Sequence, residues 1–342
     1  MTEQPAILVV GPSWVGDMMM AQSLFKILKR EQPHVLIDVL APTWSDGLLH
    51  RMPEVHRMIS HPIEHGQLAW KTRQHLGFQL RSNNYQQAIV LPNSWKSALI
   101  PSWAKIPIRT GYRGEMRYGL LNDIRKLNKF QLRRTVDQFV ALGLPKDDKR
   151  IGHKVPNPRL LPEPIDSILQ RLELEKPDEP VLVLCPGAEY GPAKIWPLEY
   201  YAEVAKQKIS EGWKVWLLGS QKDASLSSRI QTLSGEGCIN LCGKTTLPEA
   251  VDLLGFAQAI ITNDSGLMHV AAALDKPLIA IYGSSNPGMT PPLSNQAHII
   301  YLGLKCSPCY QRTCPKKHLK CLRKITPQQV LETLKSYEAK GN

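Results

Sequence analysis

The sequence predicts an α/β protein of two Rossmann-like domains that face each other across a ligand-binding cleft. Three observations lead there. The chain has 342 residues, a length at which a single hydrophobic core usually divides in two. Strand-length apolar runs alternate with segments of helical period, the signature of βαβ units on a parallel sheet. The alternation breaks once, in a proline-rich stretch, and then starts again. Ligands of such sheets sit beyond the carboxyl ends of the strands, so functional residues belong in the turns that follow strands.

Taken in order, Ile7 to Val10 reads as the first buried strand, Met18 to Lys29 as a helix, and Val35 to Leu40 and Ala88 to Leu91 as further strands. From Lys146 to Pro180, Pro156, Pro158, Pro162, Pro164, Pro177 and Pro180 crowd around one short helical segment, Ile165 to Leu174. Residues 161–180 are therefore the expected linker between an N-terminal domain, 1–160, and a C-terminal domain, 181–325. The second domain restarts with Val181 to Leu184, then Val215 to Leu218, Ala259 to Thr262 and Leu278 to Tyr282. Both halves open alike, on a strand running into Gly11-Pro12 or Pro186-Gly187. Thr326 to Lys340 reads as a C-terminal helix within 326–342, with Thr326 as N-cap and Pro327 in the first turn.

Composition narrows the class. With 43% hydrophobic and 21% charged residues the chain is an ordinary packed globular protein. No basic leader precedes Ala6 to Val10, and no run reaches the roughly 18 apolar residues of a membrane span, so a cytoplasmic protein is expected. Seven cysteines, an odd number, argue against a disulfide framework. A formal charge of +12 favours acidic partners: phosphorylated substrates, nucleic acid or an anionic membrane face.

The first turn, Gly11-Pro-Ser-Trp-Val-Gly16-Asp17, has the glycine spacing of a phosphate loop but carries Asp17 where that loop needs lysine. It also lacks the dinucleotide-binding glycine pattern, which weakens a dehydrogenase assignment. Asp17 near a helix start is a candidate general base, or a residue that only caps its own helix. In the second domain, residues 186–197 set a glycine-rich turn and Lys194 just before a helix, an arrangement able to hold phosphate oxygens. Residues 260–269 again end a strand and open a helix, where Asp264 or Asn263 can cap while Ser265 and Gly266 present N–H groups to an anion. The acidic Asp-x-Asp pair that commonly holds a metal against a nucleotide diphosphate is absent from the chain, which fits a metal-independent transfer that needs no cofactor.

These motifs coincide over nearly the whole chain with those of a known family. Residues 11–20, 91–98, 109–123, 185–197 and 262–273 resemble the ADP-heptose:lipopolysaccharide heptosyltransferases of glycosyltransferase family 9, nearest to the branch that adds a second heptose. The resemblance implies a GT-B type glycosyltransferase fold, ADP-L-glycero-D-manno-heptose as donor, and inversion without metal. The implied acceptor is a Kdo-linked lipid A already bearing one heptose, met at the cytoplasmic face of the inner membrane. Carried over position by position, the catalytic base falls on Asp17. Donor-binding positions fall on Lys194, Glu189, Asp264, Ser265, Gly266 and His269, and acceptor-binding positions on Ser13, Lys96, Arg113 and Arg117. Relatives that add the first heptose carry hydroxyl residues in the turn before the lysine, where this chain has Gly187, Ala188, Glu189 and Tyr190.

Lys96, Arg109, Arg113, Arg117, Arg125, Lys126, Lys129, Arg133 and Arg134 crowd the later part of the first domain, interleaved with Trp95, Tyr112 and Tyr118. Such a cluster suits the Kdo carboxylates and lipid phosphates of the implied acceptor. A nucleic-acid groove has the same composition, but none of its sequence motifs accompanies this one. A solvated helix face accounts for Lys126, Lys129 and Arg134. Finally, Cys306, Cys309, Cys314 and Cys321 offer four thiols for a structural zinc, against reduced thiols in a surface loop. The competing functions are another nucleotide-sugar transferase or epimerase of the same fold, a transferase for the first heptose, and a basic nucleic-acid-binding module.

Overall fold

A computed structural model describes residues 4–64, 66–146, 148 and 155–338. The chain divides into two compact units, Met1–Leu160 and Leu161–Asn342. Each is a six-stranded, wholly parallel sheet with helices in most of its crossovers, the form expected when the inner strands are covered on both faces.

In the first unit the strands are β1 (Ala6–Val10), β2 (Leu36–Pro42), β3 (Arg57–His61), β4 (Gln87–Val90), β5 (Ile108–Tyr112) and β6 (Asp123–Arg125), in the order β3-β2-β1-β4-β5-β6. In the second they are β7 (Val181–Cys185), β8 (Lys214–Leu217), β9 (Cys238–Asn240), β10 (Ala259–Asn263), β11 (Leu278–Tyr282) and β12 (Ala297–Tyr301), in the order β12-β11-β10-β7-β8-β9. Counted from its own first strand, each sheet has the doubly wound order 3-2-1-4-5-6. The order reverses between β1 and β4 in one unit and between β7 and β10 in the other, and such reversals are where ligands bind.

The central strands are sealed: β7, β10 and β11 are buried along their full length, and Leu8 and Val9 of β1 are inaccessible. In the second unit Trp196 anchors the core under the turn after β7, its indole N–H donating to the Ile325 carbonyl at 2.9 Å. The helix expected over Ile165 to Leu174 forms over Asp166–Arg171. The C-terminal helix runs Pro327–Glu338, and the Gln329 N–H donates to Thr326 Oγ1 at 3.3 Å as an N-cap should. Its expected end at Lys340 lies outside the described residues, as do 147 and 149–154 of the proline-rich stretch. Among the described residues no helix is long and apolar enough to cross a membrane.

Candidate active site

In the first unit, β1 ends at Val10 and the chain turns into the helix Val15–Glu31. Asp17 is the third residue of that helix and does not cap it, because the N-cap position belongs to Trp14 and has no side-chain bond. Among the described residues the Asp17 carboxylate has no hydrogen-bond or ion-pair partner. Burial raises its pKa to about 6. A helix N-terminus favours the ionised form by roughly 0.3–1 kcal/mol, whereas a rise of this size corresponds to about 3 kcal/mol, so loss of water dominates. A carboxylate that titrates near neutrality and has no partner of its own is equipped to accept a proton.

Beyond the carboxyl ends of β1, β3 and β4 lies a cavity of about 570 Å³, lined by Gly11, Ser13, His61, Arg73 and residues 92–97 among others. It brings Ser13 and Lys96 together, and Lys96 Nζ donates to the Gly66 carbonyl at 2.6 Å. His61 accepts the Ile63 N–H on Nδ1 at 3.3 Å. Burial, with the Arg73 charge adding to it, lowers the His61 pKa to about 4, so the ring is neutral at physiological pH and Nε2 carries its proton. Nothing in the sequence singles out His61, which ends a strand with no apolar alternation.

Arg117 stands otherwise than expected. It is 2% exposed, and its guanidinium donates to the carbonyls of Tyr112 at 2.7 Å and Pro92 at 2.6 Å and to Asn93 Oδ1 at 3.2 Å. An arginine whose planar fork is filled by its own chain has no donor left for an acceptor. It clamps the turn after β5 to the wall of the cavity. Arg113 is exposed and is not part of the cavity lining. Much of the basic stretch is likewise turned inward: Arg109 donates to the Ile106 and Leu120 carbonyls, Arg125 holds Asp123 and the Ala141 and Leu144 carbonyls, and Arg134 pairs with Asp137. Lys126, Lys129 and Arg133 face solvent.

In the second unit β7 and β10 are neighbours, so the turns after them meet. Asn263 stitches them: its Nδ2 donates to the Pro186 carbonyl at 2.6 Å and its Oδ1 accepts the Trp196 N–H at 2.9 Å. Neither Asn263 nor Asp264 caps the next helix, Gly266–Ala273; Ser265 occupies the N-cap without a side-chain bond. Asp264, 5% exposed, instead pairs with Lys194 at 2.5 Å. His269 lies in the same helix, buried. Burial lowers its pKa to about 4, with the Asp264 carboxylate opposing and Lys194 adding, so it is a neutral imidazole beside the pair. Glu189 is exposed and pairs with Lys222 at 2.6 Å, a surface contact worth about 1 kcal/mol or less that a ligand can displace. An ammonium, a helix start with open N–H groups and a glycine-rich turn thus surround one point, a setting for an anion.

The four thiols named for a structural zinc stand on the loop after β12 and in the short helix Lys320–Arg323 beyond it. Cys306, Cys309 and Cys314 are close enough for their charges to oppose ionisation of Cys321, whose pKa is raised chiefly by burial. Yet among the described residues no group of three or more His, Cys, Asp or Glu side chains is placed to hold a metal ion. The loop is fixed instead by hydrogen bonds, Ser307 Oγ to the Gly283 carbonyl at 2.6 Å and the Tyr310 N–H to the Ser284 carbonyl at 2.7 Å.

Comparison with known proteins agrees with this architecture. The profile of glycosyltransferase family 9 (heptosyltransferase) matches residues 73–320. The lipopolysaccharide heptosyltransferase 2 of Salmonella typhimurium is 49% identical over 344 residues, covering 96% of this chain and 97% of that protein. The protein of the same name from Escherichia coli is 48% identical, with 96% and 97% covered. The solved structure of E. coli ADP-heptose lps heptosyltransferase II superposes with a TM-score of 0.87 at 44% identity, covering 98% of this chain and 99% of that one. With its paired doubly wound sheets and the motifs of both turns, the chain belongs to glycosyltransferase family 9, the heptosyltransferases, and is a glycosyltransferase of lipopolysaccharide core biosynthesis.

Proposed function

We propose that the enzyme transfers heptose from ADP-L-glycero-D-manno-heptose to the first heptose of the lipopolysaccharide inner core, in one inverting displacement that requires no metal. The acceptor hydroxyl gives its proton to Asp17 as its oxygen attacks the anomeric carbon. The bond from that carbon to the diphosphate oxygen breaks on the opposite face, and ADP leaves with the electron pair. Lys194 and the start of the helix Gly266–Ala273 meet the charge that builds on the diphosphate, a task for preorganised donors. Ser13 and Lys96 hold the acceptor from the cavity beside the first turn.

The observation that carries this mechanism is Asp17, a carboxylate without a partner whose pKa stands at about 6. The donor and the position of the acceptor heptose are supported by relatives that share nearly half of the sequence over nearly its whole length. The acceptor is a lipid, and the net charge of +12 together with the exposed Lys126, Lys129 and Arg133 supports a peripheral enzyme at the anionic cytoplasmic face of the inner membrane. The test is the anomeric configuration of the transferred heptose, read by NMR from product made in excess EDTA. Inversion with undiminished yield agrees with the proposal. Retention, or a yield that needs added divalent metal, contradicts it.

A further inference from the structure

We infer that Arg312, carried on the cysteine-rich loop, is the second cation of the donor's diphosphate site and works beside Lys194. The inference rests on the proposed nucleoside diphosphate donor and adds a residue that the motifs of neither turn contain.

Position comes first. The loop after β12 is tied to the turn after β7 at two points: the Ala193 N–H donates to the Arg312 carbonyl at 3.0 Å, and Tyr190 Oη donates to the Tyr310 carbonyl at 2.7 Å. Gly191 makes the approach possible. Its φ is +149°, and a Cβ at that residue would stand 2.6 Å from the Arg312 carbonyl oxygen, a clash with backbone that only glycine avoids. The Tyr190 ring then serves both cations, with Lys194 Nζ 5.1 Å and Arg312 Cζ 5.4 Å from its centroid. Both distances are those of cation–π contact, which orients the guanidinium without consuming its N–H donors.

Charge then decides what the arginine is for. Lys194 is already paired with the buried Asp264, and Lys222, the other cation at this edge, with Glu189. The Lys194–Asp264 pair offers a diphosphate little net positive charge. Arg312 is exposed and makes no ion pair among the described residues. A diphosphate gains negative charge as the bond to the sugar breaks, and a guanidinium fork matches two phosphate oxygens at once. On this account the cysteine-rich loop serves the reaction by delivering Arg312 to the turn that holds Lys194.

The test is binding of ADP, inorganic pyrophosphate and adenosine, by calorimetry, to the whole protein and to its Arg312→Gln and Arg312→Lys variants. Arg312→Gln is expected to weaken ADP and pyrophosphate about tenfold to a hundredfold, the value of one charge-assisted contact, and to leave adenosine unchanged. Arg312→Lys is expected to recover part of the loss. Unchanged ADP affinity in Arg312→Gln, or an equal loss for adenosine, overturns the inference and leaves the proposed donor standing. Wild-type protein that binds pyrophosphate in an Arg312-dependent way but not ADP supports the inference and refutes the adenine nucleotide. Binding of neither overturns both.

Discussion

Lys194 Nζ lies 2.5 Å from Asp264 Oδ2, an ion pair that, with the hydrogen bonds of Asn263, ties the turn after β7 to the turn after β10. The carboxylate is 5% exposed and the lysine side chain 17%. Removing one partner of a buried pair leaves the other charge without compensation, which typically costs 3–5 kcal/mol. Lys194→Ala is therefore expected to lower the free energy of urea unfolding by about that amount and to abolish donor turnover. Lys194→Met combined with Asp264→Asn should recover most of the stability and none of the turnover. A double variant as unstable as the single one speaks against the pair as the source of the cost.

Asp17→Asn separates chemistry from binding. A general base contributes typically 10²–10⁴-fold, so turnover should fall by about that factor while donor affinity holds. The same change should stabilise the fold. The folded pKa of Asp17 is raised, to about 6 from 3.8, so the folded state holds its proton more tightly than the unfolded chain does. Stability is then lost as pH rises from about 4 to about 6, on the order of 3 kcal/mol in all. Asp17→Asn should exceed the wild type in stability at pH 7.5 and match it near pH 4, as thermal melts across that range would reveal. Equal melting temperatures at pH 7.5 would contradict the burial of this carboxylate.

Two histidines, His269 buried and His61 half-buried, work in the opposite sense. His61 and His269 have folded pKa values lowered to about 4 from 6.5, so the unfolded state binds the extra proton first. Their contribution is complete above pH 6.5 and is lost as pH falls from 6.5 to 4, on the order of 3 kcal/mol for His269 and less for the half-exposed His61, which water screens. His269→Gln should flatten the fall of unfolding free energy over that interval. A slope identical to that of the wild type would mean that His269 titrates normally.

Arg117 and Arg113 make a controlled pair. Arg117→Ala removes donors from buried carbonyl groups and should lower stability by roughly 2–4 kcal/mol, with activity falling in step. Arg113→Ala, at an exposed position, should change stability by no more than about 0.5 kcal/mol and raise the acceptor KM if the side chain meets the acceptor. Chemical denaturation with acceptor titrations distinguishes the two, and a stable Arg117→Ala with an elevated acceptor KM would restore Arg117 as a ligand residue.

The parts of this fold that were legible in the sequence follow from burial. β1, β2, β4, β7, β8, β10 and β11 announce themselves as apolar runs because both faces of an inner strand are covered. β3, β6, β9 and β12 are the four sheet edges. They are short or half-exposed and read as loops; Arg57-Met-Ile-Ser-His61 has no period to detect. The site divides the same way. Asp17, Lys194 and Asp264 lie in the stretches that follow strongly apolar strands, Asp17 in the first turn of a helix, and could be singled out. The long-range partners Arg312 and Tyr190, the cavity residue His61 and the inward turn of Arg117 depend on which turns the topology brings together. Spacing along the chain carries no record of that.

Transfer of heptose from ADP-heptose to an acceptor that already bears one heptose can be followed as ADP release in EDTA. The purified enzyme would be mixed with ADP-heptose and Kdo-lipid A carrying one heptose, with omission of the acceptor and the heptose-free lipid as controls. Release that requires the heptose-bearing acceptor and persists in EDTA is the predicted result. Release with the heptose-free lipid alone, or none with a folded enzyme and verified substrates, would contradict it.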